Sequence, residues 1–195
     1  MKKININIDN IKPEEIDLIV DYLYRGKVVI LPTDTIYGLH ADATNAKAVN
    51  KIYKIKKRDK KMPILTLVKS WCMVKKYTYF NKKQDKYMRT LWPGAVSAIL
   101  NKRDNLAKNI SPNNSVAVRM PDSEMFLKII KKLNKPLVST SLNISGNIQI
   151  TNLENIDKIF KTKPDLIVDA GILKKKKPSK IIDIRDVDDV KVIRK

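Results

Sequence analysis

Short β-branched apolar runs alternate along this chain with segments whose apolar residues return every third or fourth position, and that alternation leaves few ways to build a core. Val28-Val29-Ile30-Leu31 stops at Pro32, Ile64-Leu65-Thr66-Leu67-Val68 follows Pro63, and Leu137-Val138 passes into Ser139-Thr140-Ser141. Runs this short, bounded by proline or hydroxyl-bearing residues, read as buried strands that end in loops. Between them, Ile16, Ile19, Val20 and Leu23 mark one face of a helix over 13–25, with Pro13 in its first turn, Glu14 and Glu15 at its positive end and Gly26 as its stop. Ala46, Val49, Ile52 and Tyr53 mark a second helix, capped by Thr44, that runs into the basic tail KIKKRDKK. Met125, Phe126, Ile129, Ile130 and Leu133 stripe a helix over 122–133. Further helices are expected over 70–79, 81–91 and 153–160, and strands over 95–100, 115–119 and 166–168. The segments 180–184 and 190–193 read as a hairpin about an acidic turn at 186–189. This pattern predicts an α/β (α+β) fold, a twisted mixed parallel and antiparallel sheet with flanking helices. With 195 residues and no repeat or linker, a single domain over 1–195 is expected.

Composition narrows the chemistry. Cys72 is the single cysteine and His40 the single histidine, too few for an internal disulfide or a Cys/His zinc site, so a reducing, cytoplasmic setting is expected. No run nears the roughly 18 apolar residues that cross a bilayer, and the opening MKKININIDN lacks the apolar stretch of an export signal. Forty Lys and Arg against twenty Asp and Glu leave a net charge of +20, which favours polyanionic ligands such as nucleotides or RNA. An RNA-binding or ribosome-associated module held by counterion release is therefore the alternative to an enzyme. Aromatic residues at 6% and the lack of an interleaved stacking platform weigh against it. Cys72, between Trp71 and Met73 on an expected helix, reads as a buried, inert thiol rather than a nucleophile with His40 as its base.

None of the five glycines falls in a G-x-x-x-x-G-K-[ST] or G-x-G-x-x-G pattern, so bound phosphate must be held by side chains. Lys56 and Arg58, where the second helix runs out, offer a mobile ammonium and a forked guanidinium. PTDTIYG sets Thr33, Asp34, Thr35 and Tyr37 after an apolar strand, where ligands of open α/β sheets bind. The octet 139–146, STSLNISG, repeats that arrangement with hydroxyls and an amide that hydrogen-bond in both directions. Each cluster taken alone also fits a capped turn.

Together, the ordered motifs PTDTIYGLHADA, KIKKR, WPG, VAVRMP, STSLNISG and PSKIIDI resemble the YrdC-like threonylcarbamoyl-adenylate synthase family, in its short single-domain form, from about Val28 to Arg194. The resemblance implies a positively charged cavity and a nucleotidyltransferase that makes threonylcarbamoyl-AMP and pyrophosphate from L-threonine, bicarbonate and ATP. The product serves threonylcarbamoyladenosine modification of tRNA next to the anticodon, through a separate threonylcarbamoyl-transferase complex. By the same resemblance Lys56 and Arg58 are the catalytic pair on the ATP phosphates, and Thr35, Arg119, Ser139 and Ser179 contact threonine. Ser115, Ser141, Asn143 and Arg194 face the nucleotide, and Tyr37 walls the pocket. Mg2+ is expected with the triphosphate; its protein ligands are unassigned, Asp34 being one candidate. Departures from the family pattern are His40 where glycine is common, Met62 at a frequently polar position, Leu67 where a histidine is frequent, and Ala95 and Ser97 in place of proline and threonine.

Overall fold

The computed structural model describes residues 1–33, 36–154, 156–173 and 178–195. Strand β1 (Lys2–Asn5) leads through a 3-10 turn to helix α1 (Pro13–Tyr24), whose Glu15 carboxylate accepts from the Lys12 N–H at 2.8 Å and closes the first turn. Of the four residues the periodicity selects, Ile16, Ile19 and Leu23 are buried and Val20 is half-buried. Strand β2 (Val29–Pro32) is wholly buried and pairs antiparallel with β3 (Tyr37–Asp42), Val29 standing opposite His40. The apolar periodicity assigns no strand to YGLHAD, because glycine, histidine and aspartate disfavour strands on their own. A place between β2 and the later strand β8 (Leu137–Ser141) buries every one of those residues and overrides that preference.

Helix α2 (Ala46–Lys56) is capped by Asn45 and not by Thr44: the Asn45 carboxamide oxygen accepts from Lys47 and Ala48 N–H, while the Thr44 hydroxyl donates to Asp42. There follow β4 (Leu65–Leu67), α3 (Trp71–Tyr77), β5 (Thr78–Tyr79), α4 (Lys82–Arg89), β6 (Val96–Lys102), β7 (Ser115–Arg119) and α5 (Glu124–Leu133). The chain ends with β8 (Leu137–Ser141), α6 (Ile156–Ile159), β9 (Leu166–Asp169), β10 (Lys180–Asp183) and β11 (Lys191–Arg194). Cys72 is exposed, contrary to the expected buried thiol, because the inward face of α3 is taken by Met73, Val74 and Tyr77. Among the described residues no helix is long and apolar enough to cross a membrane.

One sheet in the order β1-β9-β2-β3-β8-β4-β7-β6-β10-β11, with β5 on β6, carries the fold. The β1–β9, β2–β9, β4–β7 and β6–β10 pairs are parallel and the others antiparallel, the mixture the alternating pattern predicts. Flat strands at about 4.8 Å spacing would hold β3 and β11 roughly 29 Å apart. Gly38 and Arg194 from those two strands nevertheless line one cavity, so the sheet twists and curls around it.

His40 sits beneath that cavity, fully buried, its ring 4.9 Å from Phe126. A Cβ at Gly38 would come within 2.7 Å of His40 Nε2, so the imidazole occupies space that only a glycine two residues earlier leaves open. Burial holds the imidazole pKa down to about 3, against a smaller upward pull from the Val138 backbone. The unfolded chain, titrating near 6.5, then binds more protons than the folded one from there down to about 3. Stability is therefore expected to fall with acidification across that window by roughly 1.4 kcal/mol per pH unit. Urea unfolding between pH 7 and 4 of the protein and its His40→Leu variant checks this: the variant loses that part of the slope, and equal slopes contradict it.

Candidate functional site

The curled sheet encloses a cavity of about 170 Å³ lined by strand ends. Three arginines, Arg58, Arg119 and Arg194, line it together with the hydroxyl-bearing residues Thr33, Ser139, Thr140, Ser141 and Ser179. Its apolar wall includes Ile64, Leu67 and Phe126, so Leu67 and not a polar side chain stands on this wall.

Arg58 reaches the cavity because the helix before it ends abruptly. Lys57 adopts the left-handed conformation at φ 48°, and Arg58 N–H bonds back to Tyr53 O at 3.0 Å. The reversal sends the two members of K-x-R in different directions. Arg58 faces the cavity, held by Nη2–H to Pro63 O at 3.0 Å and Nε–H to Met62 O at 3.4 Å. Lys56 turns inward, 1% exposed, and donates to Ser141 O at 2.5 Å, Asn143 O at 2.9 Å and Asn143 Oδ1 at 2.7 Å. Burial, with the Arg58 charge beside it, pushes the Lys56 ammonium down to about 7.

That buried ammonium organises the turn after β8. Asn143 Oδ1 accepts from the Ser141 hydroxyl at 2.8 Å as well as from Lys56, and Asn143 Nδ2–H donates to Asn147 O at 2.6 Å. Ser141 lines the cavity, whereas Lys56 and Asn143 stand one layer behind it. Ser139 pairs with His40 on one side and Leu65 on the other, which fixes its place on the cavity floor.

The other cations come from the opposite part of the sheet. Arg119 ends β7, 4% exposed, with Nε–H donating to Gly94 O at 2.7 Å. Arg194 ends β11 and donates to Ser179 O from Nε and Nη2, and from Nη2 to Ser179 Oγ at 3.2 Å. Burial first, and the Arg58 charge second, lower the Arg194 pKa, and burial lowers that of Arg58. Among the described residues neither has a carboxylate partner, so two like charges share a partly desolvated space that an anion would relieve.

Tyr37 forms a wall as its motif suggests, its hydroxyl donating to Gly171 O at 2.7 Å and accepting from Ala170 N–H at 2.9 Å. Burial, with Asp169 nearby, pushes its pKa up to about 12. Ser115 begins β7, roughly 13 Å of strand from Arg119, and is not part of the cavity lining. Asp34, Thr35 and the run Lys174 to Lys177 lie outside the described residues. Thr140, a member of the 139–146 cluster to which the resemblance assigns no contact, lines the cavity too, as do Phe126 and Gln149. Thr140 was legible as the middle hydroxyl of its strand end, whereas nothing local marks Gln149 or Phe126 as facing a ligand. Cys72 and His40 form no dyad, the first exposed and the second enclosed.

A family model described as "Telomere recombination", built on Sua5, YciO and YrdC proteins, matches residues 21–195. A Methanocaldococcus jannaschii protein with the provisional name threonylcarbamoyl-AMP synthase is 37% identical over 186 residues, covering 93% of this chain and 87% of that one. The threonylcarbamoyl-AMP synthase of Blochmanniella pennsylvanica is 32% identical over 187 residues, 93% of each chain. The crystal structure of Pyrococcus abyssi Sua5 complexed with L-threonine is similar at a TM-score of 0.85 and 29% identity. That similarity covers 94% of this chain and 54% of the Pyrococcus protein, so the chain spans about half the length of that relative. Motif order, sheet topology and these similarities agree over nearly the whole sequence, and the chain belongs to the Sua5/YciO/YrdC family.

Proposed function

We propose that this chain is a nucleotidyltransferase that condenses L-threonine, bicarbonate and ATP into threonylcarbamoyl-AMP, pyrophosphate and water. The observation that carries this reading is the convergence of Arg58, Arg119 and Arg194 with strand-end hydroxyls in one cavity, in a fold whose Pyrococcus relative is crystallised with L-threonine. Threonine carboxylate, bicarbonate and triphosphate crowd several negative charges together, and in a low dielectric only preset cations offset their repulsion. Arg119 suits the threonine carboxylate as a guanidinium fork, Ser139 and Ser179 line the same cavity, and the family resemblance adds Thr35 as a further contact. Arg58 and Arg194 suit the phosphates, and Lys56 with Asn143 holds the Ser141 turn that faces the nucleotide.

In this reading the threonine amine attacks the bicarbonate carbon, water leaves, and a carbamate oxygen then displaces pyrophosphate at the α-phosphorus. No covalent enzyme intermediate is needed. The acceleration comes from holding three reactants together, where effective molarities reach ~10⁵–10⁸ M, and from charge stabilisation at phosphorus. Among the described residues no Asp or Glu lines the cavity and no group of His, Cys, Asp or Glu stands ready for a metal. These residues do not build a Mg2+ cage. A Mg2+ carried in on phosphate oxygens and water fits its chemistry, and no step is assigned to it. The adenylate serves tRNA threonylcarbamoyladenosine formation through a separate transferase complex.

Pyrophosphate release from ATP tests the reading. Release is expected only with L-threonine and bicarbonate together, and release indifferent to threonine overturns it.

A further inference from the structure

Arg119 and Arg194 belong to strands three places apart in the sheet, with β6 and β10 between them, yet both are anchored through one intervening segment. The sheet register pairs Ala98 with Val118 and Ser97 with Ile181, and Ile181 with Arg194. Extending the first pairing by one residue puts Ser97 beside Arg119, so Ser97 stands in one row between the two cations and on their face of the sheet. It is fully buried, and its hydroxyl shares a hydrogen bond of 3.0 Å with Ser179, the residue whose carbonyl and hydroxyl both accept from Arg194. Three residues earlier, Gly94 O accepts from Arg119 Nε and Gly94 N–H donates to Met120 O at 3.0 Å, which clamps the end of β7 from both directions. The segment is itself closed: Trp92 Nε1–H donates to Val96 O at 2.7 Å, and Lys180 N–H donates to Ala95 O at 3.0 Å. A Cβ at Gly94 would stand 2.8 Å from Leu91 O, a backbone atom that cannot swing aside, so a larger residue must shift the carbonyl that holds Arg119.

We infer that the segment from Trp92 to Ser97 is the positioning element of the cavity, Gly94 presetting Arg119 for the substrate carboxylate and Ser97 fixing Ser179, which in turn presets Arg194 for the nucleotide phosphates. The inference rests on the proposed roles of Arg119 and Arg194 and adds two positioning residues that touch no substrate. A buried hydroxyl between two serines would be a poor choice for packing alone, since burying a polar group costs free energy unless its hydrogen bond is made. Holding a guanidinium in place before the anion arrives removes the ordering cost from the binding step.

The test compares Gly94→Ala, Ser97→Ala and Ser97→Thr with Arg119→Ala and Arg194→Ala, reading KM for ATP and for L-threonine, pyrophosphate affinity by calorimetry, and melting temperature. Ser97→Ala is expected to raise KM for ATP and weaken pyrophosphate about fivefold, and Ser97→Thr, which keeps the hydroxyl, to stay within twofold. Gly94→Ala is expected to raise KM for threonine about tenfold and leave that for ATP within twofold. Lowered melting temperatures with both KM values unchanged in Gly94→Ala and Ser97→Ala make the segment merely structural and overturn the inference. If the two arginine variants themselves leave affinity unchanged, the assigned roles fail and the inference fails with them. If Gly94→Ala does not fold, the Ser97 pair decides alone.

Discussion

Replacing Arg58 by alanine should lower kcat/KM for threonine-dependent pyrophosphate release at least ~10²-fold, the scale of removing one preset charge stabiliser at a phosphoryl centre. Arg58 lines the cavity, and among the described residues its guanidinium has the carbonyls of Met62 and Pro63 as partners, both lying outside the core. Folding stability should accordingly change by less than about 1 kcal/mol, as for other substitutions away from the core. Because the Arg58 charge also lowers the Arg194 pKa, its loss relieves repulsion in the free protein even as it weakens anion binding. Steady-state pyrophosphate assays with urea unfolding of the same variant check both halves. A rate within tenfold of the parent removes Arg58 from the chemistry.

Lys56→Met should behave in the opposite way, costing about 3 kcal/mol of stability together with ATP affinity. Methionine keeps the volume and leaves Ser141 O, Asn143 O and Asn143 Oδ1 without the ammonium that all three now share. Asn143 Oδ1 keeps the Ser141 hydroxyl and Ser141 O keeps the Asn143 N–H, so Asn143 O is the acceptor left orphaned at ~1–3 kcal/mol, and the weakened turn adds to that loss. The turn that carries Ser141 and Asn143 then loosens, and the nucleotide loses a preset surface. A loss below about 1 kcal/mol with activity abolished would instead make Lys56 a direct phosphate ligand that contributes nothing to the turn. Urea melts and ATP titration distinguish the two outcomes. Two residues of one short motif are thus expected to fail differently, because the left-handed Lys57 turns one inward and the other outward.

Much of the fold was legible because hydrophobic period and punctuation coincide. β7 spans the residues expected of it, α1 and α5 bury the apolar stripes read from the sequence, and the final hairpin forms where the acidic turn interrupts two apolar runs. What escaped was decided by neighbours in space. YGLHAD becomes a strand through burial between β2 and β8, and Lys2–Asn5 pairs with β9 more than 160 residues away. Strand identity there comes from partners that no local window contains.

The site divides in the same manner. Arg58, Arg119, Ser139, Ser141, Ser179, Arg194 and Tyr37 converge on the cavity, although their motifs are spread across the chain. Motif order located them; only the curled sheet explains why they meet. Lys56 and Asn143 carry the right chemistry one layer further back, which spacing along a helix end cannot distinguish from direct contact. Gly94 and Ser97 stand in or beside the WPG motif, but their positioning role is not legible there because their contributions are a carbonyl oxygen and a hydroxyl aimed at other strands.

The most direct measurement follows label from 13C-bicarbonate into product. Incubated with ATP and L-threonine, the protein should form an adenylate containing threonine and a single labelled carbon, in step with the pyrophosphate released. An unlabelled threonyl adenylate, or pyrophosphate released without threonine in the product, contradicts a cavity that joins all three anions.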